Sequence, residues 1–140
     1  MSVDASSDAE RGSVLLLTLG YALLALALIF VCVCATDLYV AQKRLDALAD
    51  SAALAGADGF TLRVEGTAAR AQLTDAGVHE QASAMLVALP GEARLVSATT
   101  PDGVSAQVTV SAPWRPPLVA PLIPDGVELR STATSRTALR

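Results

Sequence analysis

Aromatic side chains are scarce in this 140-residue chain, which has one tryptophan, two tyrosines and two phenylalanines. Without large rings, a core has to be filled by alanine, leucine and valine, which suit close helix packing and fill a globular core poorly. The length allows one compact domain at most. We therefore expect a small domain of modest stability that gains from a partner or from a membrane.

Residues that carry chemistry are also few. The single histidine, His79, lies beside Glu80 on a predicted helix, where adjacent side chains diverge and do not form a metal pair. The serines have no histidine or lysine partner in a recognisable motif, and there is no glycine-rich phosphate loop. The sequence thus predicts no enzyme activity, no catalytic residue, no cofactor or metal site and no small-molecule substrate.

The chain lacks a basic stripe as well. Its formal net charge is −4, and its arginines are scattered along the sequence. A nucleic-acid-binding surface needs clustered lysine and arginine to neutralise phosphates, so nucleic acid is excluded as a partner.

What the chain has instead is one long apolar run. No charged residue occurs from Gly12 to Thr36, and a bilayer core needs about 20 apolar residues in a helix. We predict a cytoplasmic tail over residues 1–12 and a transmembrane helix over residues 13–36, in contact with membrane lipid. Both cysteines, Cys32 and Cys34, lie in this run, where their spacing of two does not suit a disulfide.

Orientation and processing stay open on the residues alone. Lys43 and Arg44 follow the run and only Arg11 precedes it, so a count of basic residues places the C-terminal side in the cytoplasm. The small residues ending at Ala35 also fit a signal-peptide cleavage pattern. The run is longer than a usual signal-peptide core and the leading tail is acidic, which favours a retained anchor.

An amphipathic pattern follows the apolar run, and neither proline nor glycine occurs between Tyr21 and Ala55. Its apolar residues recur at spacings of three and four, which is a heptad-like seam. The members of this seam are Leu38, Ala41, Leu45, Leu48, Ala52 and Ala55. We predict an amphipathic stalk over residues 37–57 that continues the helix, with the seam as a candidate helix–helix interface. Packing of the seam on the chain's own distal domain is the plainer interpretation, and assembly with another helix is the other one.

The stretch from Glu10 to Gly59 resembles the N-terminal signature of TadE/TadG-like proteins of tight-adherence (Flp-type) pilus assembly and secretion systems. It consists of Glu10-Arg11-Gly12-Ser13-Val14, the apolar run, and the block from Asp37 to Ala57. The short length and the Ala/Val/Arg-rich style resemble actinobacterial members. The resemblance implies a pseudopilin-like component of the cell membrane with its C-terminal domain outside the cytoplasm. It also implies that the stalk binds other pilus or secretion subunits, or further copies of itself.

Pilin precursors are cut after a glycine, with a glutamate at the fifth position of the mature chain. Gly12 and Ser13 are the candidate processing site here, but Leu17 stands where the glutamate is required. We therefore expect an uncleaved anchor rather than a filament subunit.

The distal domain, residues 58–140, changes from helical to two-residue periodicity. We predict an extended piece over Phe60–Val64, a helix over Thr67–Leu89 with Gly77 as a break and Thr74-Asp75 as a cap, and strands over Arg94–Thr99, Val104–Ala112 and Val127–Ser135. Turns at Thr100–Gly103 and Asp125-Gly126 connect them, so that the first two strands form a hairpin. The predicted fold class is α+β: a long N-terminal helix, a second helix and a small antiparallel sheet in a pilin-like layout.

Five prolines between Pro113 and Pro124 predict a loop over the sheet edge. Trp114 in this loop either plugs the core or lies at a surface, against a partner or a membrane interface.

Two functional classes fit these features. The first is a single-pass, membrane-anchored structural component of a Tad-type system, with a cytoplasmic N-terminus. The second is a secreted or membrane-tethered binding domain that is released by cleavage after Ala35.

Overall fold

The computed structural model describes residues 4–66, 68–117 and 125–136. The chain divides into two compact units, Met1–Asp37 and Leu38–Arg140, which we call the apolar unit and the distal unit. Helix α1, Asp4–Ala57, contributes residues to both units. The long N-terminal helix predicted from the sequence is therefore confirmed, and it begins at Asp4 rather than at the start of the apolar run.

The described part of the distal unit contains the C-terminal part of α1 from Leu38 onward, one further helix and five strands. Their bounds are β1 Thr61–Glu65, β2 Ala68–Gln72, α2 Asp75–Ala88, β3 Arg94–Thr99, β4 Ser105–Trp114 and β5 Val127–Arg136. Strands β1 and β2 form a two-stranded antiparallel sheet, and the others form an antiparallel sheet in the order β3-β4-β5. The α+β fold class and the three strands predicted for the second half of the domain are confirmed.

The three-stranded sheet has one apolar face and one polar face. On β4, the alternating residues Ala106, Val108 and Val110 are completely buried. On the opposite face the hydroxyl groups of Thr109 and Thr132, from β4 and β5, are 2.8 Å apart. An antiparallel sheet with one solvated face is common, and the core accordingly lies on one side of this sheet only.

Asp102 closes the turn between β3 and β4. Its Oδ1 accepts hydrogen bonds from the backbone N–H groups of Val104 at 3.0 Å and Ser105 at 2.6 Å, and its Oδ2 accepts one from the Ser105 hydroxyl at 2.8 Å. Gly103 has a φ of 72°, which a side chain would disfavour. The Gly103 carbonyl also accepts a bond from the Leu73 N–H at 2.8 Å, so the turn is fastened to the segment before α2.

The prediction of a loop from Pro113 onward is wrong for its first two residues, because β4 continues to Trp114. The β3–β4 ladder ends at the pair Arg94–Ser111. Beyond that pair, β5 is the one described strand that still pairs with β4, and Pro113 lies opposite Glu128. A proline without an N–H group is tolerated at such a place because the strand is locally an edge strand.

The helix predicted over Thr67–Leu89 is wrong in its first part, where Ala68–Gln72 forms β2. Gly66, with a φ of 67°, allows the tight turn that pairs β2 with β1. Alanine, arginine and glutamine are strong helix formers, and here strand pairing overrides that local preference. The extended piece predicted over Phe60–Val64 is confirmed as β1.

Helix α2 begins at Asp75, with Thr74 as its N-cap. The Gly77 N–H donates to Thr74 Oγ1 at 3.2 Å, which satisfies one of the free donors of the first turn. The predicted cap is confirmed, whereas Gly77 does not break the helix. The Asp75 carboxylate accepts a bond from the Thr100 N–H at 2.7 Å, which ties the start of α2 to the end of β3.

The core of the distal unit lies between α1, α2 and the apolar face of the three-stranded sheet. Most of its side chains are alanine or valine: Leu45, Ala49, Ala52, Ala53, Ala57, Leu73, Val78, Ala82, Ala98, Ala106, Val108, Val110 and Ala133. Such short side chains bring the backbones close together. A Cβ atom on Gly56 would lie 2.9 Å from Val78 Cγ1 and 3.4 Å from the Ala106 Cβ.

This contact predicts that Gly56→Ala destabilises the distal unit. In an open helix, glycine to alanine stabilises by about 1 kcal/mol, but here the new methyl group overlaps a buried valine and we expect a net loss of about 1–3 kcal/mol. Thermal unfolding of the full chain in detergent measures it. Gly20→Ala, where nothing lies within 4 Å of the new Cβ, is the control. An unchanged or raised unfolding temperature for Gly56→Ala would contradict the close packing.

Candidate functional site

The apolar unit presents its side chains outward. Every side chain from Gly12 to Val33 is exposed, including Leu16 at 71 % and Ile29 at 60 %. The stretch Gly12–Ala57 is a helix long and apolar enough, by length and composition, to cross a membrane. A continuous surface of leucine, isoleucine and valine is costly in water and suited to hydrocarbon. This segment is therefore a candidate membrane span.

The hydroxyl groups in this helix are satisfied locally. Thr18 Oγ1 donates to the Leu15 carbonyl at 2.9 Å, and Thr36 Oγ1 donates to the Cys32 carbonyl at 2.8 Å. Because hydrocarbon offers no water to a polar group, such bonds within the helix lower the cost of threonine in a span. Cys32 and Cys34 are free thiols, in agreement with their spacing.

Gly12 and Ser13, the candidate processing site, both lie within α1 and are exposed. No described atom outside the local backbone would lie within 4 Å of a Cβ on Gly12. Cleavage at this site stays a prediction.

The seam residues divide into two sets. Leu45 and Ala52 are buried in the distal core, with exposed fractions of 2 % and 0 %. The other members keep some exposure: Ala41, Leu48 and Ala55 are half-buried and Leu38 is exposed. Packing on the chain's own domain therefore occupies Leu45 and Ala52, and contact with another helix stays a prediction for the rest of the seam.

The predicted seam omits three further stalk residues that are buried. Ala49, Ala53 and Ala57 are at most 1 % exposed and belong to the same core. A strict heptad has a period of 3.5 residues, whereas a straight helix repeats every 3.6, so a buried stripe drifts off a heptad pattern by about 20° per heptad. The alanines that recur every four residues from Ala49 onward were the signal in the sequence for this buried stripe.

A hydrogen-bond network around Asp46 fastens the stalk to β5. Its Oδ1 accepts from the Ser131 hydroxyl at 2.7 Å and from Gln42 Nε2 at 3.0 Å, and its Oδ2 accepts from Lys43 Nζ at 3.2 Å. Gln42 Nε2 also donates to the Arg130 carbonyl at 3.2 Å. One carbonyl of the edge strand β5 is thereby taken by a side chain of α1. No local sequence pattern predicts this network, because Asp46 and Ser131 are 85 residues apart.

These contacts lower carboxylate pKa values. The Ser131 hydroxyl, followed by the Gln42 amide and Lys43, holds the pKa of Asp46 below its ordinary value of 3.8. The backbone N–H of Ser105, followed by that of Val104, lowers the pKa of Asp102 to about 2. In both cases the donors favour the charged form of the carboxylate.

A polar cleft of about 350 Å³ lies at the end of the three-stranded sheet. Its lining consists of Arg94, Ser111, Ala112, Pro113, Arg115, Asp125 and Glu128. Arg115 pairs with Glu92 at 2.8 Å, and Glu128 with Arg130 at 3.4 Å. Both pairs are solvent-exposed, and such pairs contribute little to stability.

His79, Glu80 and Trp114 are the remaining residues that were singled out from the sequence. His79 and Glu80 are exposed on α2. No group of three or more His, Cys, Asp or Glu residues within the described ranges is placed to hold a metal ion. Trp114 is half-buried on β4, opposite Val127 of β5. Residues 118–124 of the proline-rich segment lie outside the described residues.

Comparison with known proteins agrees with the resemblance seen in the sequence. Residues 12–59 match the family model described as putative Flp pilus-assembly TadE/G-like. The match covers the apolar run and the stalk and ends after α1. No curated protein and no solved structure matches the chain. The resemblance to TadE/TadG-like proteins is confirmed over this segment, and its actinobacterial character stays a prediction.

The burial of Ala52 predicts the effect of a charge in the seam. Ala52→Glu would place a carboxylate in an apolar core, at a cost of more than about 3 kcal/mol. Leu54→Glu changes a residue that is 58 % exposed on the same helix and should leave stability nearly unchanged. Thermal unfolding of the full chain in detergent compares the two. Equal unfolding temperatures would show that Ala52 is not in the core.

The Asp46 network predicts a specific loss of stability in acid. Because the pKa of Asp46 is lowered in the folded state, its contribution is present above about pH 3.8 and is lost as the pH falls through the folded-state pKa. Asp46→Asn should lower the unfolding temperature near neutral pH and reduce its further fall on acidification. Unfolding temperatures measured between about pH 6 and pH 2 test this. Asp50→Asn, an exposed residue one turn further along α1, is the control, and an identical profile for both variants would exclude the network.

Proposed function

We propose that this chain is a membrane-anchored, pseudopilin-like structural component of a Tad/Flp-type pilus assembly or secretion system. One observation carries the proposal: the family match over residues 12–59 spans both the exposed apolar segment and the stalk whose alanines form the distal core. A single helix thus supplies a surface suited to lipid and a surface suited to a folded domain. The role is mechanical rather than catalytic.

Each part has a defined task in this proposal. The apolar segment anchors the chain in the lipid bilayer. The stalk connects the apolar segment to the rest of the distal unit, because its alanine face is part of the distal core and Asp46 binds β5. The exposed members of the seam and the outer surface of the distal unit are then available to other subunits.

The proposed topology has a cytoplasmic N-terminus and an extracytoplasmic distal unit. The count of basic residues, Lys43 and Arg44 against Arg11, favours the reverse. The TadE/TadG-like signature supports the first arrangement, and a difference of one charge is a weak determinant. Processing at Gly12 is not required, because an uncleaved helix serves as an anchor.

Membrane anchoring is tested with paired charge substitutions. The double variant Leu26→Arg and Ile29→Arg places two charges in the apolar run, each costing about 2.5–3.5 kcal/mol at the centre of a span. We expect the wild-type chain in the membrane fraction after alkaline extraction, and a large loss of the double variant from that fraction. Leu54→Arg, equally exposed but in the stalk, should remain with the membrane.

The mass and location of the mature protein separate the alternatives. Full-length protein in the membrane, with the distal unit open to protease added outside intact cells, supports the proposal. A soluble species that starts at Thr36 would instead support the released binding domain. A membrane species that starts at Ser13 would show prepilin-type processing, and an intact chain that never sediments with lipid would refute the anchor.

A further inference from the structure

We propose that strands β1 and β2 open and close as a cooperative unit of their own while the rest of the distal unit stays folded. These two strands form one sheet, and the described strands β3, β4 and β5 form the other. An isolated two-stranded hairpin is marginally stable at best in water, and it needs a third strand or a packed helix for independent stability. The stability of this β1–β2 pair therefore depends on what its side chains contact.

The side chains of β1 are exposed on both faces of the strand. Leu62 and Val64, on one face, are 63 % and 74 % exposed, and Arg63, on the other face, is exposed as well. On β2, Gln72 is exposed and Ala71 is half-buried. None of these five side chains is part of the distal core or packs against it. Opening of the β1–β2 pair consequently removes little apolar surface from a buried environment.

The register of the β1–β2 pair also places like charges opposite each other. Arg63 lies directly opposite Arg70, and like charges at directly opposite positions destabilise a pair of strands. Glu65, the one acid in β1, lies opposite Ala68 rather than opposite an arginine. The exposure of the side chains and the pairing register therefore both favour opening.

The two ends of the β1–β2 pair are fixed to the folded core. Phe60, immediately before β1, packs against the core, and Leu73, immediately after β2, is 2 % exposed within it. The Leu73 N–H donates to the Gly103 carbonyl at 2.8 Å. Thr61 Oγ1 donates to the Gln72 carbonyl at 3.3 Å, across the base of the pair. Opening can therefore stop at this base and leave α2 and the three-stranded sheet unchanged.

Native-state hydrogen exchange of the full chain in detergent micelles tests this proposal. Fragments that cover β1 and β2 should exchange at least about a hundredfold faster than fragments that cover β4, but more slowly than an unfolded peptide of the same sequence. Low concentrations of urea should accelerate exchange in β4 more than in β1 and β2, because local opening exposes little surface and global unfolding exposes much.

Two results of the exchange measurement would overturn the proposal. Equal rates and equal urea dependence for the two regions would show that β1 and β2 open only when the whole distal unit unfolds. Exchange in β1 and β2 at the rate of an unfolded peptide would show that the pair has no closed state. Because the measurement is made in detergent, either result leaves the proposed function in the membrane standing.

Two substitutions at exposed positions should shift the opening equilibrium in opposite directions. Arg63→Glu replaces a like-charge pair with an opposite-charge pair, and it should slow exchange in β1 and β2 about two- to fivefold. Val64→Pro removes a backbone donor from β1 and should abolish the protection of both strands. Both variants should keep the wild-type unfolding temperature of the distal unit, measured by the fluorescence of Trp114, the single tryptophan of the chain.

The matched control is Val110→Pro, the same substitution at a completely buried residue of β4. It should lower the unfolding temperature by at least about 10 °C or leave no folded state, because β4 is the central strand of its sheet. A comparable fall for Val64→Pro would show that β1 and the core unfold together, which would contradict the proposal.

An unchanged exchange rate for Arg63→Glu would show that the opposed arginines do not favour opening, and it would also count against the proposal.

Discussion

The fold of the distal unit depends on how closely the end of α1 can approach α2 and β4. At Gly56 there is no room for a methyl group beside Val78 and Ala106. At the next crossing, a Cβ on Gly59 would lie 2.7 Å from the Gly77 carbonyl oxygen, and a Cβ on Gly77 would lie 2.7 Å from that of Gly59. Two glycines on the α1 side and one on α2 thus set the distance between the helices, and this distance brings the alanine face of the stalk into contact with the sheet. The scarcity of aromatic residues is the counterpart of this geometry, because backbones this close leave no space for rings.

This packing makes the stalk part of the domain rather than a separate rod that carries it. Ala49, Ala52 and Ala53 are as deeply buried as Val108 of the central strand. The boundary between the two compact units accordingly lies after Asp37, and the stalk belongs to the distal unit. If the apolar segment anchors the chain as proposed, such a stalk has a direct advantage. A load applied to the domain reaches the helix through many small contacts instead of through one flexible joint.

The features that local rules govern were predictable from the sequence. The uninterrupted apolar and alanine-rich run predicts α1, and the Pro-Asp-Gly turn with alternating valines predicts the β3–β4 hairpin. Thr74-Asp75 was predicted as a cap, although the helix was expected to begin at Thr67. Strand β2 was missed because its residues individually favour helix, and only pairing with β1 makes them extended. Leu45 and Ala52 were predicted to belong to a packing seam, but the sequence pattern does not show which surface they contact, because the tertiary structure determines it. The Asp46–Ser131 bond likewise joins two residues that no short sequence pattern connects.

The turn at Asp102 has a consequence for the conditions that the hairpin withstands. Its carboxylate holds two backbone amides and one hydroxyl, and its pKa of about 2 keeps it ionised where most carboxylates have already taken up a proton. The same turn receives the Leu73 N–H, so it also fixes the chain that leads into α2. Acidification of the surroundings would therefore neutralise much of the acidic surface while this corner keeps its shape.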